Sequence, residues 1–243
     1  MSRRAAAGLL LAGILIAGAS QEEKSELAKA IEKTLALENY GFTGRLEVGG
    51  VPFLSEPIDY KGAYDKDRGF SAEMGPFGSI FRLEKKVAVK DPDKGEWILL
   101  RPGTKVGEGP IAAEIPMVAR GLKPPHEEFK KYVARFKEIK KRDGEEKIGE
   151  ISCVVYEGPL TEGGVRAGLP AGVGLVLPKG EYEGTGRAWV GDGRILKFEA
   201  DCKAAVEDSG KTVELTYKRT TEFNDIGKTK VDMPADVKKL FEE

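Results

Sequence analysis

One histidine and two cysteines are all that 243 residues contain of the side chains that most often carry metals and nucleophilic relays. A single histidine excludes a multi-histidine metal centre, and a Ser-His-Asp or Cys-His mechanism would have to run through His126. Charge of one sign is also missing. Lys and Arg number 39 against 40 Asp and Glu, so nothing electrostatic favours nucleic acid or an anionic membrane surface as partner. Beyond residue 20 there is no long apolar run, which excludes a multi-span membrane protein. What remains, 40% hydrophobic and 33% charged residues, is a globular composition. The length allows burial of roughly 70–75% of the unfolded surface, enough for a core.

The N-terminus reads as an address. Arg3 and Arg4 precede an apolar stretch over residues 5–17, and Ala17-Gly18-Ala19 gives a small-x-small cleavage site before the polar Ser20 and Gln21. This is the pattern of a secretory signal peptide over residues 1–19. It leaves one mature domain over residues 20–243, with no composition break that would mark a linker. No cysteine lies near the cleavage site, so the expected product is soluble, not lipid-anchored and without a membrane span, in a periplasmic or extracellular space.

Residues 21–38 carry Leu27, Ala30, Ile31, Thr34 and Leu35 on one stripe, the pattern of an amphipathic helix. Phe42, Leu46 and Val48 then alternate with polar residues, as in a half-buried strand. Further strands are expected at 58–64, 69–74, 79–83, 86–90 and 96–101, punctuated by Asp65-Lys66-Asp67-Arg68-Gly69 and Asp91-Pro92-Asp93-Lys94-Gly95 turns. A second helix is expected over 126–141, with Phe129, Tyr132, Val133, Phe136 and Ile139 at helical spacing and Gly144 closing it. Strands resume at 151–156, 185–190, 194–206 and 211–221, with a hairpin at Gly191-Asp192-Gly193, and a short helix ends the chain at 234–241. In the long strand, Leu196, Phe198, Ala200, Cys202, Ala204 and Val206 share one face and Lys197, Glu199, Asp201 and Lys203 the other. That alternation implies an antiparallel sheet with one buried face.

Candidate chemistry is sparse. His126 opens the second expected helix, where a histidine is ordinarily solvated. Asp91, Asp93 and Glu96 suggest a calcium loop, but its sixth and twelfth positions hold Glu96 and Pro102 instead of Gly and Glu, which leaves a hairpin turn. No metal or cofactor site emerges. Cys153 and Cys202 invite a disulfide in an exported chain. A regular hairpin at residues 191–193 would insert a third strand between them, about 10 Å of separation, beyond bridging reach; the alternative is two buried thiols.

Four segments resemble a known family in order and spacing. They are the leading helix with Asn39-Tyr40-Gly41-Phe42-Thr43-Gly44; residues 85–97, Lys-Lys-Val-Ala-Val-Lys-Asp-Pro-Asp-Lys-Gly-Glu-Trp; Gly149-Glu150-Ile151-Ser152-Cys153-Val154-Val155-Tyr156; and Ala188-Trp189-Val190-Gly191-Asp192-Gly193 with the closing residues 221–227 and Met233-Pro234. Together these are similar to the periplasmic lipoprotein-sorting carrier superfamily (Lol-type) and its lipid-carrying lipoprotein relatives. The resemblance implies an α+β fold: a single curved antiparallel sheet, an incomplete β-barrel, with helices packed on its concave side. It also implies an apolar cavity that takes acyl chains, and a place in outer-membrane biogenesis. The expected function is non-enzymatic binding of a lipid, acyl chain or lipidated protein. The alternative is a cell-envelope structural or sensory module that binds a protein partner with the same fold. Phe42, Leu46, Phe81, Leu83, Trp97, Leu196 and Phe198, with Cys202, are expected to face the helices. The glycine-rich apolar segment 159–178 is expected to be a loose lid, with Leu169, Val173 and Leu175 on its apolar side.

Overall fold

Short turns with a built-in acceptor set the strand pattern. The Asp65 carboxylate accepts the backbone N–H groups of Asp67 and Arg68 at 3.0 and 3.1 Å, and Gly69 supplies the positive φ that follows. The Asp91 carboxylate does the same for Asp93 and Lys94 and also takes the N–H of Gly107 at 3.2 Å. These bonds hold its pKa below the usual carboxylate value. Asp91 therefore ties a turn to a distant loop. Asp192 and Gly193, both at positive φ, make the two-residue hairpin that matches strand twist.

The computed structural model describes residues 22–50, 56–108, 112–131, 135–168, 180–208 and 211–243. Helix α1 covers 22–35. Strands β1 (Asn39–Gly49), β2 (Ile58–Asp65), β3 (Gly69–Met74), β4 (Ser79–Leu83), β5 (Lys86–Lys90) and β6 (Trp97–Leu99) follow. Then come α2 (Ile115–Gly121), a 3₁₀ segment (Pro125–Lys131), β7 (Lys140–Ile148), β8 (Ile151–Pro159) and α3 (Glu162–Gly168). The chain closes with β9 (Gly180–Gly191), β10 (Arg194–Asp208), β11 (Lys211–Asn224) and α4 (Ala235–Glu242).

All eleven strands form one antiparallel sheet in the order β6-β5-β4-β3-β2-β1-β11-β10-β9-β8-β7. It is two meanders joined where β1 pairs with β11, from Gly41↔Asn224 to Gly49↔Thr216. The sheet stays open as an incomplete barrel. The chain passes from edge β6 to edge β7 through α2 and the 3₁₀ segment, which lie on the inner face with α1 and α3. Leu27 and Ile31 of α1, Ile115 and Ala119 of α2, Phe129 and Val165 all join the main core against that face. Helix α4 packs on the opposite, outer face, with Val237 and Phe241 against Phe81 and Ala88.

Three sequence expectations change. Residues 126–141 are not one helix: a 3₁₀ turn occupies Pro125–Lys131, and Lys140 already belongs to β7. Strand β7 is an edge whose residues before Ile148 are all exposed. It has no buried face and so none of the alternation by which a strand is recognised. Phe129, Phe136 and Ile139 are instead buried against the sheet, and Tyr132 and Val133 lie outside the described residues. Second, β10 carries a bulge between Ile195 and Lys197. The extra residue sends Leu196 to the outer face while Phe198 stays inside. The N–H of Ile195 at this bulge donates to Thr34 Oγ1 at 2.9 Å, and Thr34 in turn donates to the Ala30 carbonyl at 2.8 Å. Thr34 is fully buried, so the bulge pins α1 to the sheet. Third, residues 162–168 form α3, with Val165 fully buried, where looseness was expected. Gly164 lets this helix approach, since a Cβ there would run into the carbonyl of Arg135.

At the seam between the meanders, Tyr60, Gly44 and Thr221 stand in register across three strands. The Tyr60 ring lies over Gly44, whose missing Cβ leaves the space, and its hydroxyl donates to the Thr220 carbonyl at 2.8 Å. Gly44→Ala should therefore lower stability by about 1–3 kcal/mol through displacement of the ring. Alanine in place of glycine in an open strand position should instead stabilise. Urea unfolding of the variant reads the sign.

Candidate functional site

The in-register rows of the sheet define the inner wall. One row runs Phe42, Gly62, Ala72, Ile80, Val89 and Ile98. Phe42 leans across Gly62 and stacks on Phe70 at 5.6 Å. In the other meander, Phe198 meets Phe129 edge-on at 5.1 Å, and Phe136 lies against Gly186. The next row toward the β2–β3 and β4–β5 turns is Tyr40, Tyr64, Phe70, Arg82 and Val87. It brings polar groups to one rim of the wall, whose middle also holds Thr221 and Arg219, in register with Gly44 and Leu46.

His126 belongs to this rim. It is buried, 6% exposed, not solvated as its sequence position suggests. Its backbone N–H donates to the Tyr40 hydroxyl at 3.2 Å, and Tyr40 Oη lies 2.6 Å from His126 Nδ1. A neutral ring accepts the hydroxyl proton at Nδ1. Burial lowers the His126 pKa to about 4, against a smaller opposing effect of Glu127 and a further lowering by Lys130. The hydrogen bond shown for its side chain is the one to Tyr40.

Of the residues picked out by sequence, Phe42, Leu46, Phe198 and Cys202 lie in the inner core. Phe81, Leu83 and Trp97 are on the outer face, packed with Val231 and α4. Leu196 packs there with Cys153, Val155 and Trp189. Both faces of β4 carry apolar residues, Ile80 on one and Phe81 and Leu83 on the other, so alternation alone gave no sign of which is inner; the unsatisfied apolar stripe of α4 was the available clue. Leu169, Val173 and Leu175 lie outside the described residues. Cys153 and Cys202 are free buried thiols, separated by β9 and placed on opposite faces. Burial raises the Cys202 thiol to about 11.

An outer-face hollow of about 640 Å³ lies between β1–β5 and the C-terminal segment, lined by Lys61, Glu73, Phe81, Trp97 and Pro234 among others. Among the described residues no three histidine, cysteine or carboxylate side chains could hold a metal, and no helix is long and apolar enough to cross a membrane.

By sequence, the chain matches no family model and no curated protein. By structure it is similar to the crystal structure of LprF from Mycobacterium bovis, with TM-score 0.52 and 12% identity over 89% of this chain and 98% of that one. A LolA superfamily protein, NE2245 from Nitrosomonas europaea, aligns with TM-score 0.33 and 13% identity over 88% of this chain and 96% of that one. The likeness to LprF is one of fold.

The rim histidine makes stability depend on pH. The unfolded chain takes up a proton near the ordinary histidine value of 6.5 and the folded chain only near 4. Stability contributed by the neutral ring is thus complete above pH 6.5 and falls as pH drops toward 4, by about 3 kcal/mol in all. Urea midpoints should fall more steeply over this window in the parent protein than in His126→Gln.

Proposed function

We propose that this is an exported, non-enzymatic carrier that binds an acyl chain, as a lipid or on a lipidated protein, between the sheet's inner face and its helices. The observation that supports this reading is the form of the cover. The inner wall of an eleven-stranded sheet is roofed by separate short pieces: α1 of 14 residues, and α2, the 3₁₀ segment and α3 of 7 each. Such pieces are held to the wall by side chains and share no continuous helix, so an apolar chain can part them at low cost. Among the described residues only Met117 is a large exposed apolar side chain. A module that docks a protein through an apolar patch would show more.

The segment 159–178 is proposed as part of the roof. Its first half already rests on the wall, where Leu160 and Val165 are buried and the Tyr217 hydroxyl donates to the Val165 carbonyl at 2.8 Å.

A titration of delipidated protein with a fluorescent fatty acid tests the reading. The emission should shift to the blue and saturate, and unlabelled dodecanoate should reverse it. Phe198→Ala, on the inner wall, should weaken binding. Leu196→Ala, on the outer face, should cost about 2–5 kcal/mol of stability and leave affinity unchanged. A probe that stays in water, or equal effects of the two variants on affinity, would count against an inner-face site.

A further inference from the structure

Arg82 carries the one buried side-chain polar atom without a hydrogen-bond partner among the described residues, its Nε. Native structures leave few such groups, and each calls for a cause. The guanidinium reaches two carbonyl oxygens at the end of α2, those of Ala119 at 3.1 Å and Arg120 at 2.5 Å through Nη2. No carboxylate lies within ion-pair distance of it among the described residues. Burial lowers its pKa, partly offset by Glu127. The side chain is half-buried, and a guanidinium whose shielded edge meets only neutral acceptors is incompletely compensated.

Its position gives the missing anion a character. Arg82 stands in the rim row, flanked in register by Phe70 and Val87, both buried. One row deeper the wall is Ala72, Ile80 and Val89. A charged fork thus sits at the edge of a buried apolar wall, and a molecule with an anionic head and a hydrocarbon body is complementary to that pairing. The Nε–H is shielded from water and left without a partner.

We propose that Arg82 anchors the head of the acyl ligand, a carboxylate or phosphate, and that the ligand is therefore an anionic amphiphile. This rests on the carrier reading above. A guanidinium–anion hydrogen bond in such a site corresponds to about ten- to a hundredfold in affinity.

The test compares dodecanoate, dodecanol and inorganic phosphate by calorimetry at neutral pH. The parent protein should bind dodecanoate at least about tenfold tighter than dodecanol, with phosphate neither binding nor competing. Arg82→Gln should bring the ratio close to one by weakening dodecanoate alone. If that variant does not fold, the Arg82 Nε–H resonance of the parent protein is read instead: it should move downfield on adding dodecanoate and stay in place with dodecanol. Equal affinities for the two amphiphiles, a preference that survives Arg82→Gln, or an unmoved resonance would overturn the proposal and leave the carrier reading standing. Binding of phosphate alone would overturn the amphiphile and assign Arg82 to a soluble anion. Failure of both amphiphiles to bind would remove the carrier reading and the anchor with it.

Discussion

The pairing of β1 with β11 is the constraint on which the rest of the molecule hangs. Each meander is local in sequence and can form from short hairpins, but neither alone presents a wide wall. The seam joins residues about 180 positions apart, such as Gly41 and Asn224, and its loop-closure cost must be recovered from contacts made across it. Tyr60 supplies several. Its ring crosses β1 above Gly44, its hydroxyl reaches β11 at Thr220, and Arg219 donates to the same oxygen at 3.2 Å. Three strands from both halves are thereby tied at the point where the sheet would otherwise come apart.

From that seam follows the division of labour between the faces. The outer face takes the covalent tail of the chain: α4 spreads its apolar stripe on Phe81 and Ala88. Farther along, Trp189 is held by its Nε1–H to Glu146 at 2.8 Å and covered by Lys197 at 4.6 Å. Glu199 gathers Arg187 at 3.0 Å and Lys218 at 3.7 Å. The inner face is covered by short separate pieces. Helix α1 is the best anchored of these, since Thr34 satisfies both its own turn and the N–H of Ile195 at the bulge. The bulge has a second effect, because moving Leu196 outward leaves the start of β10's inner side to Ile195 and Phe198.

Much of the fold was legible because turns and alternation are local signals. The Asp65, Asp91 and Gly191–Gly193 turns, the first helix with Leu27 and Ile31, and the antiparallel single sheet could all be read from residue order. Strand β7 could not, since an edge of lysines, arginine and glutamates buries no face that would impose alternation. Nor could the facing of Phe81, Leu83 and Trp97, because a sheet covered on both sides is apolar on both. A bulge changes face without changing composition, so Leu196 followed the pattern in sequence and departed from it in space. The rim was hidden for another reason. Tyr40, Tyr64 and Arg82 are scattered along the chain and become one row only through register, and His126 joins them from the 3₁₀ segment.

On the proposed reading, a hydrocarbon chain parts the short helices from the sheet's inner face. Native mass spectrometry of protein purified from its own host, without detergent or organic solvent, tests it most directly. The account predicts one acyl-bearing molecule per chain, released by collisional activation and absent after delipidation. A bare polypeptide mass under conditions gentle enough to keep non-covalent ligands would contradict it.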